Sequence, residues 1–164
     1  MRILIKSRKW VEDRLDKDMF FCRKYNFISI FSSGDYSPFP EQSNSLLELE
    51  FDDITDSDQQ RTSPDAPTLI LFHDDHAAQI VRFIHRINRK KTMIIHCDAG
   101  ISRSGAVGQV LNEYCNRILE KYPNDYALFA ADNPDIIPNP LVFRILQRAL
   151  APFVKSPGTL NNHP

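Results

Sequence analysis

Residues 92–105, TMIIHCDAGISRSG, place a cysteine between an apolar run and a polar turn that contains glycine. The β-branched run at residues 92–95 is typical of a buried strand. The polar residues from Cys97 to Arg103 indicate a loop, and a helix is expected to begin near Ser102. The stretch therefore predicts a strand, a loop and a helix in that order, and this arrangement decides both the fold class and the chemistry to consider.

A loop that enters a helix suits the binding of an oxyanion. Backbone N–H groups at the start of the helix point toward the bound anion, and the helix dipole is positive there. Gly100 permits the backbone angles of a curled loop, and Arg103 supplies a planar fork for two phosphate oxygens. The same potential is expected to favour the thiolate of Cys97, with Ser104 as a hydrogen-bond donor to it. These residues together predict phosphoryl transfer to sulfur.

The segment HCDAGISRSG, residues 96–105, resembles the His-Cys-x5-Arg-Ser/Thr signature of the cysteine-dependent protein tyrosine phosphatases. It is most similar to that of the small dual-specificity-like, microbial-type members. The resemblance is strong over residues 92–110 and looser over residues 26–54 and in PNPLVFRIL, residues 138–146. It implies a central sheet flanked by helices, hydrolysis without metal or cofactor through a phosphocysteine intermediate, and a general-acid aspartate on a separate loop.

The resemblance also assigns roles by position. Cys97 would be the nucleophile, Arg103 would bind the phosphoryl group, and Ser104 would help the thiolate to leave in the second step. His96 would tune the cysteine from the strand without touching substrate. The backbone of the intervening loop would form the cradle for the phosphoryl group: Asp98, Ala99, Gly100, Ile101, Ser102 and Arg103 itself.

The general acid is expected upstream, after a strand. Asp53 continues the odd-numbered parity of Leu47, Leu49 and Phe51, which predicts that it points toward the cleft. Asp52 and Asp65 are the alternatives, and the long interval before Cys97 favours Asp65. The other carboxylates of this region are expected to be solvated.

The pattern of apolar residues predicts a single α/β domain over residues 1–155, with a flexible tail at 156–164. A central mixed sheet of about four to five strands, flanked by helices, is expected. The predicted strands are residues 2–6, 26–31, 46–52 and 92–95. The predicted helices are a turn at residues 10–15, a helix over 74–87, a long amphipathic helix over 107–122 and a last one capped by Asn139, and residues 54–68 are predicted to form a mobile loop.

Composition narrows the function classes. The chain has 164 residues, 42% of them apolar, and its 20 basic and 21 acidic side chains give a net charge of −1. Near-neutrality favours neither a nucleic-acid binder nor a membrane-surface binder. No apolar run approaches the roughly 20 residues that span a bilayer, no signal peptide is evident, and three cysteines suit a reducing compartment. A cytoplasmic monomer is therefore expected.

Two further features have ordinary structural explanations. The segment His73–His76, HDDH, resembles a metal site, but it lies where a helix is predicted to begin, and acidic residues there complement the helix dipole. Cys115 could be a resolving thiol for oxidised Cys97, but its position on an apolar stripe favours packing in the core. No metal site is predicted.

The sequence thus predicts a phosphatase whose substrate is a protein phosphorylated on tyrosine, with phosphoserine and phosphothreonine as further targets. The alternatives are a phosphatase of a non-protein ester such as a phosphoinositide or an RNA 5′-triphosphate, a rhodanese-like sulfurtransferase, and a catalytically weak module that binds phosphoproteins. Relatives that act on multiply phosphorylated substrates often carry basic loop residues. Residues 98–102 include none, and Asp98 is acidic.

Overall fold

The computed structural model describes residues 1–55, 69–119 and 125–154. Within these ranges, four strands form one sheet in the order β1-β4-β2-β3, and every neighbouring pair is parallel. The C-terminal ends of all four strands therefore lie at one edge of the sheet. The strands are β1 (Ile3–Ser7), β2 (Asn26–Phe31), β3 (Leu46–Glu50) and β4 (Met93–Cys97).

Six α-helices surround this sheet in the described part of the chain: α1 (Arg8–Leu15), α2 (Phe21–Lys24), α3 (Asp74–Arg86), α4 (Arg103–Asn112), α5 (Asp125–Asp132) and α6 (Pro140–Leu150). Helix α4 continues as a π-helix over Glu113–Leu119, and α6 ends in a 3-10 turn over Ala151–Phe153. None of the helices in the described ranges is both long and apolar enough to cross a membrane.

The predicted α/β class and the four strands are confirmed, but the sheet is parallel throughout where a mixed one was expected. Each connection, including the long link from β2 to β3, carries the chain back across the sheet before the next strand begins. All four strands therefore run in the same direction. Helix α5 was not predicted, and the long helix after the cysteine changes to π geometry at Glu113. The division into a domain and a tail stays a prediction, because residues 155–164, like 56–68, lie outside the described residues.

Alternation along β4 places its side chains in two separate cores. Met93, Ile95 and Cys97 pack in the larger core, which also holds the apolar faces of α3, α4 and α6. Ile94 points to the smaller core, formed with α1 and α2, and the His96 ring lies 6.0 Å from the ring of Phe39 in that core. The period of two therefore sends the thiol of Cys97 toward helix α4.

The edge of the sheet at β1 is completed by one side chain. The amide of Asn133, just after α5, accepts a hydrogen bond from the Ile5 N–H at 2.6 Å and donates to the Ile3 carbonyl at 3.0 Å. It also donates to the Phe129 carbonyl at 2.8 Å. A buried amide thus substitutes for a neighbouring strand at this edge, where unpaired backbone groups would otherwise be exposed.

Replacing Asn133 by Ala should lower the free energy of unfolding by about 1–3 kcal/mol, because buried backbone groups of Ile3 and Ile5 lose their partners. Asn133→Asp keeps the acceptor for Ile5 but places a carboxylate against two carbonyl oxygens, so we expect it to be at least as destabilising. Urea denaturation measures both. A loss within about 0.5 kcal/mol for each variant, as for an exposed polar residue, would contradict the role given to this amide.

Candidate active site

Cys97 is the last residue of β4, and its side chain closes the base of the loop that follows. Only 2% of the residue is exposed. Its sulfur lies 3.1 Å from the hydroxyl oxygen of Ser104, the second residue of α4. The predicted contact between the thiol and this hydroxyl is therefore present, and it joins two residues that are seven positions apart.

Neighbouring segments hold the loop from Cys97 to Arg103 in shape through its carbonyl oxygens. Three of these oxygens accept hydrogen bonds from backbone N–H groups outside the loop. Because the donors belong to the first residue of α1 and to the segment before α6, the loop is anchored on two sides. The pairs are Arg8 to Asp98 at 3.1 Å, Ile137 to Ile101 at 3.2 Å and Asn139 to Ser102 at 3.2 Å.

Gly100 is required at the turn of this loop for two reasons. Its φ angle is 73°, a conformation that side chains with a Cβ rarely adopt. A Cβ at this position would also lie 2.5 Å from the carbonyl carbon of Lys6 and 2.6 Å from the backbone nitrogen of Ser7. The loop therefore packs against the junction of β1 and α1 at a distance that only glycine allows.

Arg103, the first residue of α4, is 4% exposed and reaches back across the strand ends. Its Nη1 donates to the Phe51 carbonyl at 2.9 Å and to the Ser32 hydroxyl at 3.0 Å. Its Nη2 donates to the Asp98 carboxylate at 2.5 Å. Its buried Nε has no hydrogen-bond partner among the described residues. A buried guanidinium with an unpaired donor suits an anionic ligand, since buried N–H groups are otherwise paired.

His96 lies on the opposite face of the strand from the thiol. Burial lowers the pKa of its imidazole to about 4, and the nearby positive charge of Arg8 acts in the same direction. Neither ring nitrogen has a hydrogen-bond partner among the described residues. The imidazole is therefore neutral at neutral pH. Its proposed influence on Cys97 stays a prediction.

Asp53, the first-choice general acid, lies beside the cradle. Its Oδ1 accepts hydrogen bonds from the Ser102 hydroxyl at 2.7 Å and from the Asn139 side-chain amide at 2.8 Å. The residue is exposed. The parity argument that suggested Asp53 does not hold, because β3 ends at Glu50 and the alternation does not extend to residue 53. Its side chain is positioned by these two donors instead.

Asp52, one of the two alternatives for the general acid, connects two backbone segments through its carboxylate. Its two oxygens accept from the backbone N–H groups of Ser33 at 3.1 Å and of Ile70 at 2.8 Å. Its own N–H donates to the Ile70 carbonyl at 2.7 Å. Both carboxylate oxygens of Asp52 are thus engaged by the backbone, which favours Asp53 as the residue facing the site. Asp65, the other alternative, lies outside the described residues.

Asn139 is a site residue that the sequence analysis identified only as a helix cap. It caps α6 by accepting from the N–H groups of Leu141 and Val142. Its amide nitrogen also donates to Asp53 and, at 3.1 Å, to the Ile54 carbonyl. The Pro-Asn-Pro sequence could have indicated a precisely positioned side chain, since the two flanking prolines restrict the backbone on both sides of the capping residue. The buried side chain of Asn139 thus connects the loop of Asp53 to helix α6, and its backbone N–H connects the same residue to the cradle at the Ser102 carbonyl.

The HDDH segment begins a helix, as expected. His73 caps α3 by accepting from the Asp75 N–H at 3.3 Å, and His76 Nδ1 accepts from the His73 N–H at 3.2 Å. Burial, followed by the proximity of His73, lowers the pKa of His76 to about 4. In the described ranges, no group of three or more His, Cys, Asp or Glu side chains is arranged to hold a metal ion.

Cys115 is buried in the larger core, which confirms the packing interpretation.

Comparison with solved structures connects this arrangement to known folds. The chain is similar to a variant of human DUSP28, with a TM-score of 0.51, 17% sequence identity and coverage of 92% of this chain and 90% of that one. This chain has the fold of the small dual-specificity-type protein tyrosine phosphatases. The predicted phosphatase-like fold is therefore confirmed.

Two other solved structures with this phosphatase fold are similar at a TM-score of 0.49. Tk-PTP in its active form shares 16% identity, with 91% of each chain covered. PTPMT1 in complex with PI(5)P shares 12% identity, with 92% of this chain and 91% of that one covered. No protein-family model and no curated protein matches the sequence. At these identities, the likeness concerns the fold alone.

Replacing Gly100 by Ala should lower the free energy of unfolding by about 2–5 kcal/mol, through a strained φ angle and a clash with the backbone of Lys6 and Ser7. Gly34 is the matched control. Its φ angle is 80°, but a Cβ there would meet nothing within 4 Å, so Gly34→Ala should cost only about 1–2 kcal/mol. Chemical denaturation compares the two variants, and equal losses would show that the packing at Gly100 is not tight.

Proposed function

We propose that this protein hydrolyses phosphate monoesters through a phosphocysteine intermediate, with a protein phosphorylated on tyrosine as substrate. The observation that carries the proposal is the closed loop at the end of β4. It begins at a buried thiol in contact with the Ser104 hydroxyl at 3.1 Å. It ends at the buried guanidinium of Arg103, which has an unpaired Nε. A nucleophile and a cation for the transferred group are thus held by one short, anchored segment.

In the first step, the Cys97 thiolate attacks phosphorus in line with the ester bond. The S–P bond forms, the P–O bond breaks, and the leaving oxygen takes a proton from the carboxyl group of Asp53. Arg103 and the backbone N–H groups of the loop stabilise the charge on the equatorial oxygens. Because Ser102 and Asn139 both donate to Asp53 Oδ1, the proton of this acid belongs on Oδ2.

In the second step, water attacks the phosphocysteine. The carboxylate of Asp53 accepts a proton from this water, the O–P bond forms, and the S–P bond breaks to release inorganic phosphate. The thiolate leaves more easily because the Ser104 hydroxyl, already within 3.1 Å of the sulfur, can donate a hydrogen bond to it. The chain's own side chains supply the acid, the base, the nucleophile and the cation for both steps.

Exposed apolar side chains beside the cradle support a phosphorylated aromatic side chain as the substrate group. Ile137, whose N–H donates to the loop at Ile101, is 73% exposed. Tyr36 is also 73% exposed, and its ring lies 4.8 Å from the guanidinium carbon of Arg8. Arg8 in turn donates to the loop at Asp98. Such surfaces suit the ring of phosphotyrosine better than a headgroup with several charges.

Turnover of para-nitrophenyl phosphate in excess EDTA is the direct test. Cys97→Ser should lower kcat by on the order of a thousandfold or more while the protein still binds inorganic phosphate, because the cradle is mostly backbone. Cys22→Ser is the control, since this half-buried cysteine lies outside the loop. Phosphopeptide binding without turnover in the unmodified protein would indicate a binding module. Activity restored only by zinc would contradict the proposed chemistry.

Asp53→Asn should remove the decline of kcat at high pH for phosphotyrosine, because that decline reports ionisation of the acid. We expect kcat to fall about 100-fold or more for phosphotyrosine, and much less for para-nitrophenyl phosphate, whose leaving group is stable as an anion. The measurement is the pH–rate profile of each variant on both substrates.

Asp52→Asn and Asp65→Asn are the comparison variants for this test. The Asp52 variant should lose stability while keeping the shape of the pH profile, since both of its oxygens bind backbone N–H groups. If Asp65→Asn shows the dependence on leaving group while Asp53→Asn behaves like the unmodified protein, Asp65 is the acid.

A further inference from the structure

The cradle contains a carboxylate of its own. Asp98 directly follows the nucleophile, and its Oδ2 accepts from Arg103 Nη2 at 2.5 Å and from the Ser32 hydroxyl at 3.1 Å. The side chain of Arg103 is 5% exposed, whereas that of Asp98 is 44% exposed. A half-exposed carboxylate thus contacts the buried cation that the proposed function assigns to the phosphoryl group.

The donors of Arg103 are unequally available to a ligand. Nη1 is used by two groups of the fold, the Phe51 carbonyl and the Ser32 hydroxyl. Nε has no described partner, and Nη2 is bound by Asp98. Nη2 carries two N–H groups and the Asp98 contact accounts for one of them, so a phosphoryl group bound through Nε and Nη2 would lie directly beside the Asp98 carboxylate unless Asp98 moves away.

Asp98 can give up this contact without disturbing the loop. Its backbone carbonyl is held by the Arg8 N–H at 3.1 Å, and this bond does not involve the carboxylate. Rotation of the half-exposed side chain toward solvent leaves the loop in place. When a phosphoryl group is bound, its negative charge and the charge of Asp98 both lie near Arg103, and two like charges placed side by side repel each other.

We propose that Asp98 is a specificity-determining residue that competes with oxyanions for Arg103. This inference rests on the proposed function, because it concerns the same cradle. The carboxylate weakens the binding of every oxyanion there, and it weakens most strongly those of highest charge. It thus selects singly phosphorylated groups over multiply charged ones and promotes the release of inorganic phosphate after hydrolysis.

A purely structural role for Asp98 predicts the opposite sign. If the carboxylate served to orient the guanidinium, removing it would let Arg103 move and would weaken anion binding. If it competes, removing its charge strengthens anion binding. Asp98→Asn keeps the size and a hydrogen-bond acceptor while it removes the charge, and Asp98→Ala removes both.

The experiment is isothermal titration of the full chain with tungstate, inorganic phosphate and pyrophosphate. We expect Asp98→Asn to bind phosphate and tungstate about tenfold more tightly than the unmodified protein, with a larger gain for pyrophosphate. Inorganic phosphate should also become a stronger competitive inhibitor of turnover by a similar factor. Adding Arg103→Ala to the variant should abolish the gain, which ties it to this cradle.

Asp35→Asn is the matched control for net charge. Asp35 is 48% exposed and lies 3.9 Å from Arg8 Nη1, whereas Asp98 contacts Arg103 itself. Its replacement removes the same charge nearby and should change anion affinity less than about twofold. An equal gain in anion affinity in Asp35→Asn and Asp98→Asn would show that removal of any nearby negative charge strengthens binding. That result would overturn the proposal.

The remaining outcomes separate this inference from the proposed function. Unchanged or weaker anion binding in both Asp98→Asn and Asp98→Ala, with thermal unfolding showing that at least one of them is folded, overturns the role of Asp98 even if the protein hydrolyses phosphate esters. Tighter binding without hydrolysis by the unmodified protein supports Asp98 as a competitor and rejects the proposed reaction. Binding of none of the three anions by any variant overturns the inference.

Discussion

A guanidinium group stays charged in a protein, so the burial of Arg103 has to be compensated by hydrogen-bond acceptors. The compensation comes from three separate places: the carbonyl of Phe51 after β3, the hydroxyl of Ser32 after β2, and the carboxylate of Asp98 after β4. These acceptors converge because the strands are parallel and their C-terminal ends share one edge of the sheet. One buried cation thus determines how three strand ends must be placed relative to helix α4.

The part of this site that lies within residues 96–105 was predicted from sequence because its geometry is local. A short loop between the end of a strand and the start of a helix keeps Cys97 and Ser104 close together, since they are only seven positions apart in the sequence. The pleat of β4 then decides which of two cores each side chain enters, so a buried Cys97 and a His96 on the other face follow from periodicity alone. The partners of Arg103 do not follow in this way, since Ser32 and Phe51 are 71 and 52 residues away in the sequence.

The same distinction explains the fold elements that were missed. Helix α5 carries little amphipathic signal, because Leu128 and Tyr126 are exposed apolar residues and, among the described side chains of this helix, only Phe129 packs in the larger core. The function of Asn133 was equally invisible, since its amide pairs with backbone groups of β1 that are 128 and 130 residues distant. Strand β3 was predicted two residues too long because its alternation continues through Phe51, whose N–H still donates to the Phe31 carbonyl at 3.0 Å although the strand itself ends at Glu50.

Asp53 is held in position by Asn139, a residue that has no role in the proposed reaction steps. Its carboxylate is 49 residues from Ser102 and 86 from Asn139, yet both donate to the same oxygen. Asn139 also binds the loop at the Ser102 carbonyl and begins helix α6, which packs in the larger core beside α4. The distance between the proposed acid and the cradle is therefore set by the start of α6. A change in how α6 packs would move Asp53 relative to Cys97 even if both residues stayed intact.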